Sequence, residues 1–234
     1  MRKIVGLATL VLSLALVVSA ASAGVQYPDF SSTGGLKLNG DAQRSQKALR
    51  LVRGPSENGT AFTTEKVLNT AKSFRTRFKI NAGYANGPVG DGMAFVVSGD
   101  KANALGAGGS GLGYSGIAPS LVVEFDIFDN PEANDPGGNH VAIMRDGDNT
   151  THLAAKNPQV TLFGQDLFVW VRYLADEERV SVRVSETDKR PDKPTVKAPF
   201  DLKSVIGEDR ARAGFTAGTG STAIKADVLK WSLK

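Results

Sequence analysis

The run from Phe74 to Ile80 does most to limit what this chain can become. Phe74, Thr76, Phe78 and Ile80 alternate with Arg75, Arg77 and Lys79. Successive side chains of a strand point to opposite faces, so this pattern suits a half-buried strand and lays no continuous apolar stripe along a helix. The same period of two returns at Val180, Val182 and Val184, which alternate with Ser181, Arg183 and Ser185, and at Leu229, Trp231 and Leu233, which alternate with lysines and a serine. Met93 to Val97 and Leu167 to Tyr173 are more continuously apolar, which predicts central strands covered on both faces. Turn signals separate these runs at Gly34-Gly35, Asn86-Gly87-Pro88, Gly106 to Gly113 and Gly218 to Gly220. No long stretch has helical periodicity, and one short helical turn is expected near Asp201 to Ile206. Short strands at turn-separated intervals predict an all-β sandwich or barrel. The charged, proline-bearing run Glu186 to Pro199 reads as an exposed connection, and neither a repeat nor a domain boundary interrupts the chain.

One stretch departs from plain strand chemistry. Leu121, Val123, Phe125 and Ile127 alternate with Val122, Glu124, Asp126 and Phe128, so a strand here places two carboxylates side by side on one face. Pro131, Pro136 and Gly137-Gly138 cannot continue that strand, and the resulting loop can carry Asn130, Asp135 and His140 back over the carboxylates. Taken singly, a Glu-x-Asp pair is ordinarily a solvated strand face and His140 a surface imidazole. Together they offer hard oxygens and one imidazole, a donor set that suits a calcium ion beside a divalent transition metal.

Glu124-x-Asp126-x-Phe128-x-Asn130, with Asp135 five residues beyond the asparagine and His140 five beyond that, resembles the metal-binding loop of the legume lectins and the wider L-type lectin family. Leu36 to Ala42, Leu49-Arg50-Leu51, Ser73 to Phe78, Gly90 to Phe95, Gly214 to Ala217 and Trp231-Ser232-Leu233 follow in the family's order. The resemblance implies a concanavalin-like jelly-roll β-sandwich with a flat back sheet and a curved front sheet. It implies that Asp126 and Asp135 are shared by both ions. Glu124 and His140 then complete a site for manganese or a similar ion, while Asn130 and the backbone carbonyl of Phe128 complete the calcium site. A sugar needs hydrogen-bonding partners for its hydroxyls and a flat apolar surface for its C–H patches. By the same resemblance Asp91 accepts, the Asn130 amide and the Gly109 backbone N–H donate, Phe128 stacks, and the last loop, with Gly218 and Thr219, tunes the choice of sugar. A cis peptide is implied before Asp91, where Gly90 stands in place of the family's usual alanine. On residue chemistry alone, Asp91 between two glycines is as readily a turn residue.

The expected function is therefore glycan or glycoconjugate binding without catalysis, with a homodimer through the flat back sheet allowed by the resemblance. The alternative is a glycoside hydrolase on the same sandwich, which needs two carboxyl groups roughly 5 to 10 Å apart across the scissile bond. A well-known sandwich glycosidase pattern places three acids at alternate positions of one strand, and here the third position is Phe128. Arg2 and Lys3, the apolar run Ile4 to Val18 and Ala21-Ser22-Ala23 read as a secretory leader over 1–23, leaving a single domain over 24–234 that is secreted, extracellular or periplasmic. No later stretch approaches the length of a membrane span, so no membrane insertion is expected once the leader is removed. With no cysteine among 234 residues, stability must come from packing and bound metal rather than from disulfides. The net charge of +4, two units of it from Arg2 and Lys3, gives no argument for nucleic acid or an anionic membrane, and the strand arginines and lysines read as solvated faces.

Overall fold

In the computed structural model, which describes residues 24–85 and 88–234, the alternating run at Phe74 lies in a ten-residue strand paired on both sides. The proposed leader and the Asn86-Gly87 pair lie outside the described residues. In chain order the strands are β1 (Val25–Tyr27), β2 (Leu36–Gly40), β3 (Gln43–Ser45), β4 (Ala48–Val52), β5 (Asn58–Thr63), β6 (Leu68–Asn69), β7 (Phe74–Gly83) and β8 (Gly92–Ser98). They continue with β9 (Ser120–Asp126), β10 (His140–Arg145), β11 (Ala154–Lys156), β12 (Asp166–Leu174), β13 (Arg179–Ser185), β14 (Val196–Pro199), β15 (Arg210–Gly218) and β16 (Lys225–Leu233). The back sheet runs β14-β13-β12-β7-β16-β4-β3 with β1 on β16. The front sheet runs β11-β10-β9-β8-β15-β5-β2 with β6 on β15. Every pairing of these strands is antiparallel, and neighbours in each sheet are mostly distant in sequence, giving a jelly-roll β-sandwich.

Period two explains which side of each strand enters the core. On β7, Phe74, Thr76, Phe78 and Ile80 are buried, while Arg75 and Arg77 are exposed and Lys79 is half-buried. The inward residues meet those of the front sheet: Phe78 stacks 5.4 Å from Phe95 and stands edge-on to Phe125 and Phe215, and Phe215 stands edge-on to Trp231. Burial of each such side chain is worth about 1.5–3 kcal/mol, so this aromatic centre clamps the sheets together. Among the described residues the single α-helix, Leu202–Ile206, starts at Asp201, whose carboxylate caps the Ser204 N–H at 2.9 Å, and ends at Gly207 in the left-handed region.

Two expectations need correction. Met93 to Val97 is covered on both faces, but β12 is not: its residues alternate, with Phe168 and Trp170 half-buried and Arg172 exposed on the outer face. Those outer aromatics are covered by cations instead of a third layer, with the Arg77 guanidinium 5.5 Å from the Trp170 ring and the Lys79 ammonium 5.3 Å from that of Phe168. The Glu186 to Pro199 run is exposed for most of its length, yet it ends in β14, which pairs with β13 at the sheet edge.

The outer face of β8 and β9 is also covered. Val122, Ala94 and Val96 join Tyr114, Leu112, Phe62 and Met144 in a second apolar cluster beneath the glycine-rich loop between β8 and β9. That covering makes the two carboxylates of β9 buried groups rather than surface ones.

Candidate functional site

Glu124 and Asp126 both project from β9 and are 2% exposed. The front sheet makes room for them with small residues at three of the four flanking positions: Glu124 is flanked in register by Ala94 and Ala142, and Asp126 by Gly92, with His140 on its other side. After β9 the chain turns through a short 3-10 segment, Pro131–Ala133, opened by Asn130 and closed by Asn134 at φ 61°. This turn returns Asp135 over the carboxylates. Its Oδ2 accepts the Asn130 backbone N–H at 2.8 Å, and Asp126 Oδ1 accepts the Phe128 N–H at 2.7 Å. His140 is fully buried, with Nδ1 2.8 Å from the Gly137 carbonyl and Nε2 3.0 Å from Glu124 Oε1 and 3.6 Å from Asp135 Oδ1. The five side chains predicted for the cations, Glu124, Asp126, Asn130, Asp135 and His140, are therefore brought together where β9 turns into β10.

Without positive charge these groups oppose one another. Burial, then the Glu124 charge, raises Asp126 well above the ordinary carboxyl range, and burial raises Asp135. Burial works to lower the His140 pKa, but the hydrogen bond and charge of Glu124, with Asp126, prevail and raise it to about 9. Asn130 turns its Nδ2 to Glu132 at 3.1 Å and leaves Oδ1 buried without a hydrogen-bond partner. An unpaired buried amide oxygen beside crowded carboxylates fits a cation-binding loop, in which the oxygen would have a partner.

Two residues of this cluster carry no signal in the sequence motif. Tyr114, fully buried, donates its hydroxyl to Glu124 Oε2. His152, between β10 and β11, places Nε2 3.8 Å from Asp135 Oδ1, and one donor atom each from Glu124, Asp135, His140 and His152 lie within 4.8 Å of one another.

Asp91 opens the neighbouring surface. The Gly90–Asp91 peptide is cis, and the Asp91 carbonyl accepts the Ile127 N–H at 2.9 Å, tying this turn to the end of β9. Its carboxylate, raised by burial against the lowering effect of its hydrogen bonds, accepts Gly220 N–H at 2.9 Å and the Thr222 hydroxyl at 3.0 Å. Gly109, at φ 58°, comes alongside: a Cβ built there would lie 3.6 Å from Asp91 Oδ2 and 3.8 Å from the Gly220 Cα. Phe128 is 37% exposed, large for a phenylalanine beside a buried cluster, and packs one edge against Gly90. A Cβ at Gly90 would meet the Phe128 ring at 2.9 Å and the Thr222 hydroxyl at 3.0 Å, which accounts for glycine at that position.

Gly218 and Thr219 do not face this surface. The β15 ladder extends through Gly218, opposite Gly92 and Asn58, and a Cβ on Gly218 would lie 2.9 Å from the Gly108 backbone. Thr219 is buried, and its hydroxyl donates to the Gly54 carbonyl at 2.7 Å and accepts the Glu57 N–H at 3.0 Å. The strand thus runs one residue into the glycine stretch, and Gly220 and Thr222 take the places beside Asp91.

Comparisons with known proteins identify the family of this fold. A profile of the legume lectin domain matches residues 22–234. The probable L-type lectin-domain containing receptor kinase S.7 of Arabidopsis thaliana is 32% identical over 71% of this chain and 26% of its own length. The L-type lectin-domain containing receptor kinase S.7 of rice, Oryza sativa subsp. japonica, is 28% identical over 97% of this chain and 33% of its own length. The chain thus spans about a quarter to a third of these curated relatives. Among solved structures, the Bauhinia forficata lectin in complex with GalNAc superposes with a TM-score of 0.78 at 20% identity, over 90% of this chain and 96% of that one. Sequence motif, topology and profile coverage converge: the chain belongs to the legume lectin domain family.

Proposed function

We propose that this chain is a secreted, non-catalytic carbohydrate-binding protein whose sugar site is shaped by calcium and a neighbouring transition-metal ion. The observation that carries this reading is the meeting of Asp91, Gly109, Gly220 and the exposed Phe128 directly beside the crowded acidic loop. Asp91 offers acceptors, the Gly109 and Asn130 N–H groups offer donors, and Phe128 offers a flat apolar face. Asn130 would give its orphaned oxygen to calcium and its Nδ2 to the ligand. With Asn130, the Phe128 carbonyl, Asp126 and Asp135 would hold calcium; Asp126 and Asp135 with Glu124 and His140 would hold the second ion. The cations supply the positive charge that lets these buried carboxylates be ionised together.

Hydrolysis has no comparable support, because Glu124 and Asp126 are buried against Tyr114, His140 and the Phe128 backbone, out of reach of a glycosidic bond. The secreted location rests on the leader-like sequence at 1–23 and on relatives named as receptor kinases; among the described residues no helix is long and apolar enough to cross a membrane. The test is a glycan array probed with and without calcium, beside an assay for reducing sugar released from polysaccharides. The reading expects calcium-dependent retention of a defined glycan set and no release; absence of retention with both ions loaded, or release of sugar, would overturn it.

A further inference from the structure

The acidic cluster holds one imidazole more than the family resemblance assigns. His152 has its side chain only 11% exposed, and its ring stands edge-on to that of His140 with centroids 5.8 Å apart. Its Nε2 is buried and without a hydrogen-bond partner, 3.8 Å from Asp135 Oδ1, too far for a hydrogen bond. Leaving such a nitrogen unpaired costs its lost hydration, and the atom it faces is a carboxylate oxygen that a cation would bridge. Resting on the cation-binding reading above, we propose that His152 takes the place of Asp126 as a direct ligand of the transition-metal ion, leaving Asp126 to calcium and giving, with Glu124, Asp135 and His140, a site of two imidazoles and two carboxylates that prefers a zinc-type ion over manganese. Imidazole donors suit zinc, cobalt and nickel, whereas oxygen-rich sites suit manganese. In a four-coordinate zinc site with bonds of about 2.0–2.1 Å, neighbouring donors lie about 3.3 Å apart. The separations here are 3.0 Å (His140 to Glu124), 3.6 Å (His140 to Asp135) and 3.8 Å (His152 to Asp135), and all four donor atoms lie within 4.8 Å of one another, so the set contracts to close around an ion.

The full chain, stripped with chelator and reloaded with calcium plus equal manganese and zinc, is assayed for metal by elemental analysis. The cobalt-loaded form is read by its visible spectrum. Wild type should keep zinc and show the intense bands of four-coordinate cobalt; His152→Ala and His152→Ser should shift the zinc-to-manganese ratio by about tenfold or more and lose those bands. Either variant with an unchanged circular dichroism spectrum suffices. A wild type with the same preference and spectrum as the variants overturns the role of His152, whereas a wild type that keeps no second cation overturns the cation-binding reading itself.

An independent observation lies on the opposite face. A groove of about 740 Å³ on the outer side of the back sheet is lined by Arg75, Arg77, Arg172, Arg183, Arg190 and Lys234 around Trp170, with no acidic side chain among the described residues of its lining. Arg75 stands directly opposite Arg172, a like-charge pairing that destabilises a sheet, and Trp170 sits between Arg77 and Arg183 in register. Among the described residues, of these cations only Arg77 is ion-paired, with Asp188, while Arg183 donates to the Pro191 and Asp192 carbonyls. Guanidinium forks match carboxylate and sulfate oxygens, and Trp170 offers a flat face to a sugar ring. We propose that this groove binds an acidic polysaccharide, independently of the cations on the front sheet.

Retention on immobilised polygalacturonate and on heparin distinguishes uronate from sulfate as the anion. Wild type should be held on at least one of them both with calcium and in chelator, should elute with rising salt, and should ignore a neutral glucan; Arg172→Glu and Arg190→Glu should lose retention while keeping calcium-dependent binding on the array. Equal retention on DNA at the same salt would reduce the groove to unselective charge. Loss of retention in chelator, or sedimentation as a dimer that Arg172→Glu dissociates, would also overturn it.

Discussion

Asp91 serves two functions at once, because the carboxylate offered to a ligand also anchors the last loop through Gly220 and Thr222. Asp91→Ala leaves those two donors unpaired, so it should lower stability by about 1–3 kcal/mol in chemical denaturation as well as abolish glycan binding. Calcium content should be unchanged; calcium lost along with the sugar would place Asp91 in the metal site instead. Gly90→Ala should fail differently. Its new methyl group meets the Phe128 ring and the Thr222 hydroxyl, and the φ of 154° is one that alanine rarely adopts, so weakened glycan binding and a lowered Tm are expected even though no polar partner is removed. Wild-type affinity and Tm in that variant would contradict the packing described. The clustering of Glu124, Asp126, Asn130, Asp135 and His140 was legible because their spacing is fixed by one strand end and the turn that follows it. His152 was not, since it lies twelve residues beyond His140 and reaches the cluster only through the return of the chain between β10 and β11.

Among the elements, the Phe74 to Ile80 part of β7 could be read directly, because each inward residue is apolar or Thr76 and each outward one is cationic. β12 misled for a physical reason: outer Phe168 and Trp170 are sheltered by Arg77 and Lys79, so apolar character did not require a covering layer. The last loop misled by its glycines, since Gly218 is a strand residue that lets β15 approach the Gly108 backbone. Thr219→Val tests that reassignment. Removing the hydroxyl that links Gly54 and Glu57 should cost about 1–2 kcal/mol of stability with little change in sugar preference, read by denaturation and by the array. A changed preference with unchanged stability would return Thr219 to the ligand-facing surface. For the loop after β9, Phe128→Ala should weaken sugar binding while keeping calcium, because the backbone carbonyl assigned to the ion is untouched; calcium lost as fully as in Asp126→Ala would remove Phe128 from the sugar site.

Across the whole molecule, the small net charge concealed two opposed concentrations, carboxylates buried at the front and arginines lining a groove at the back. Composition sums over both, and only topology separates them. On the proposed reading the front concentration links ion binding to stability. Ions that bind the folded chain alone stabilise it by about 2.7 kcal/mol at a hundred times their Kd, so chelation should lower Tm and restoring calcium with a transition metal should recover it. The most direct test is calorimetric titration of one array-identified glycan into the same protein as purified, after chelation with elemental analysis confirming metal removal, and after both ions are restored. Binding that is present, then absent, then present again is predicted; equal affinity in the metal-free protein would contradict a sugar site built by cations.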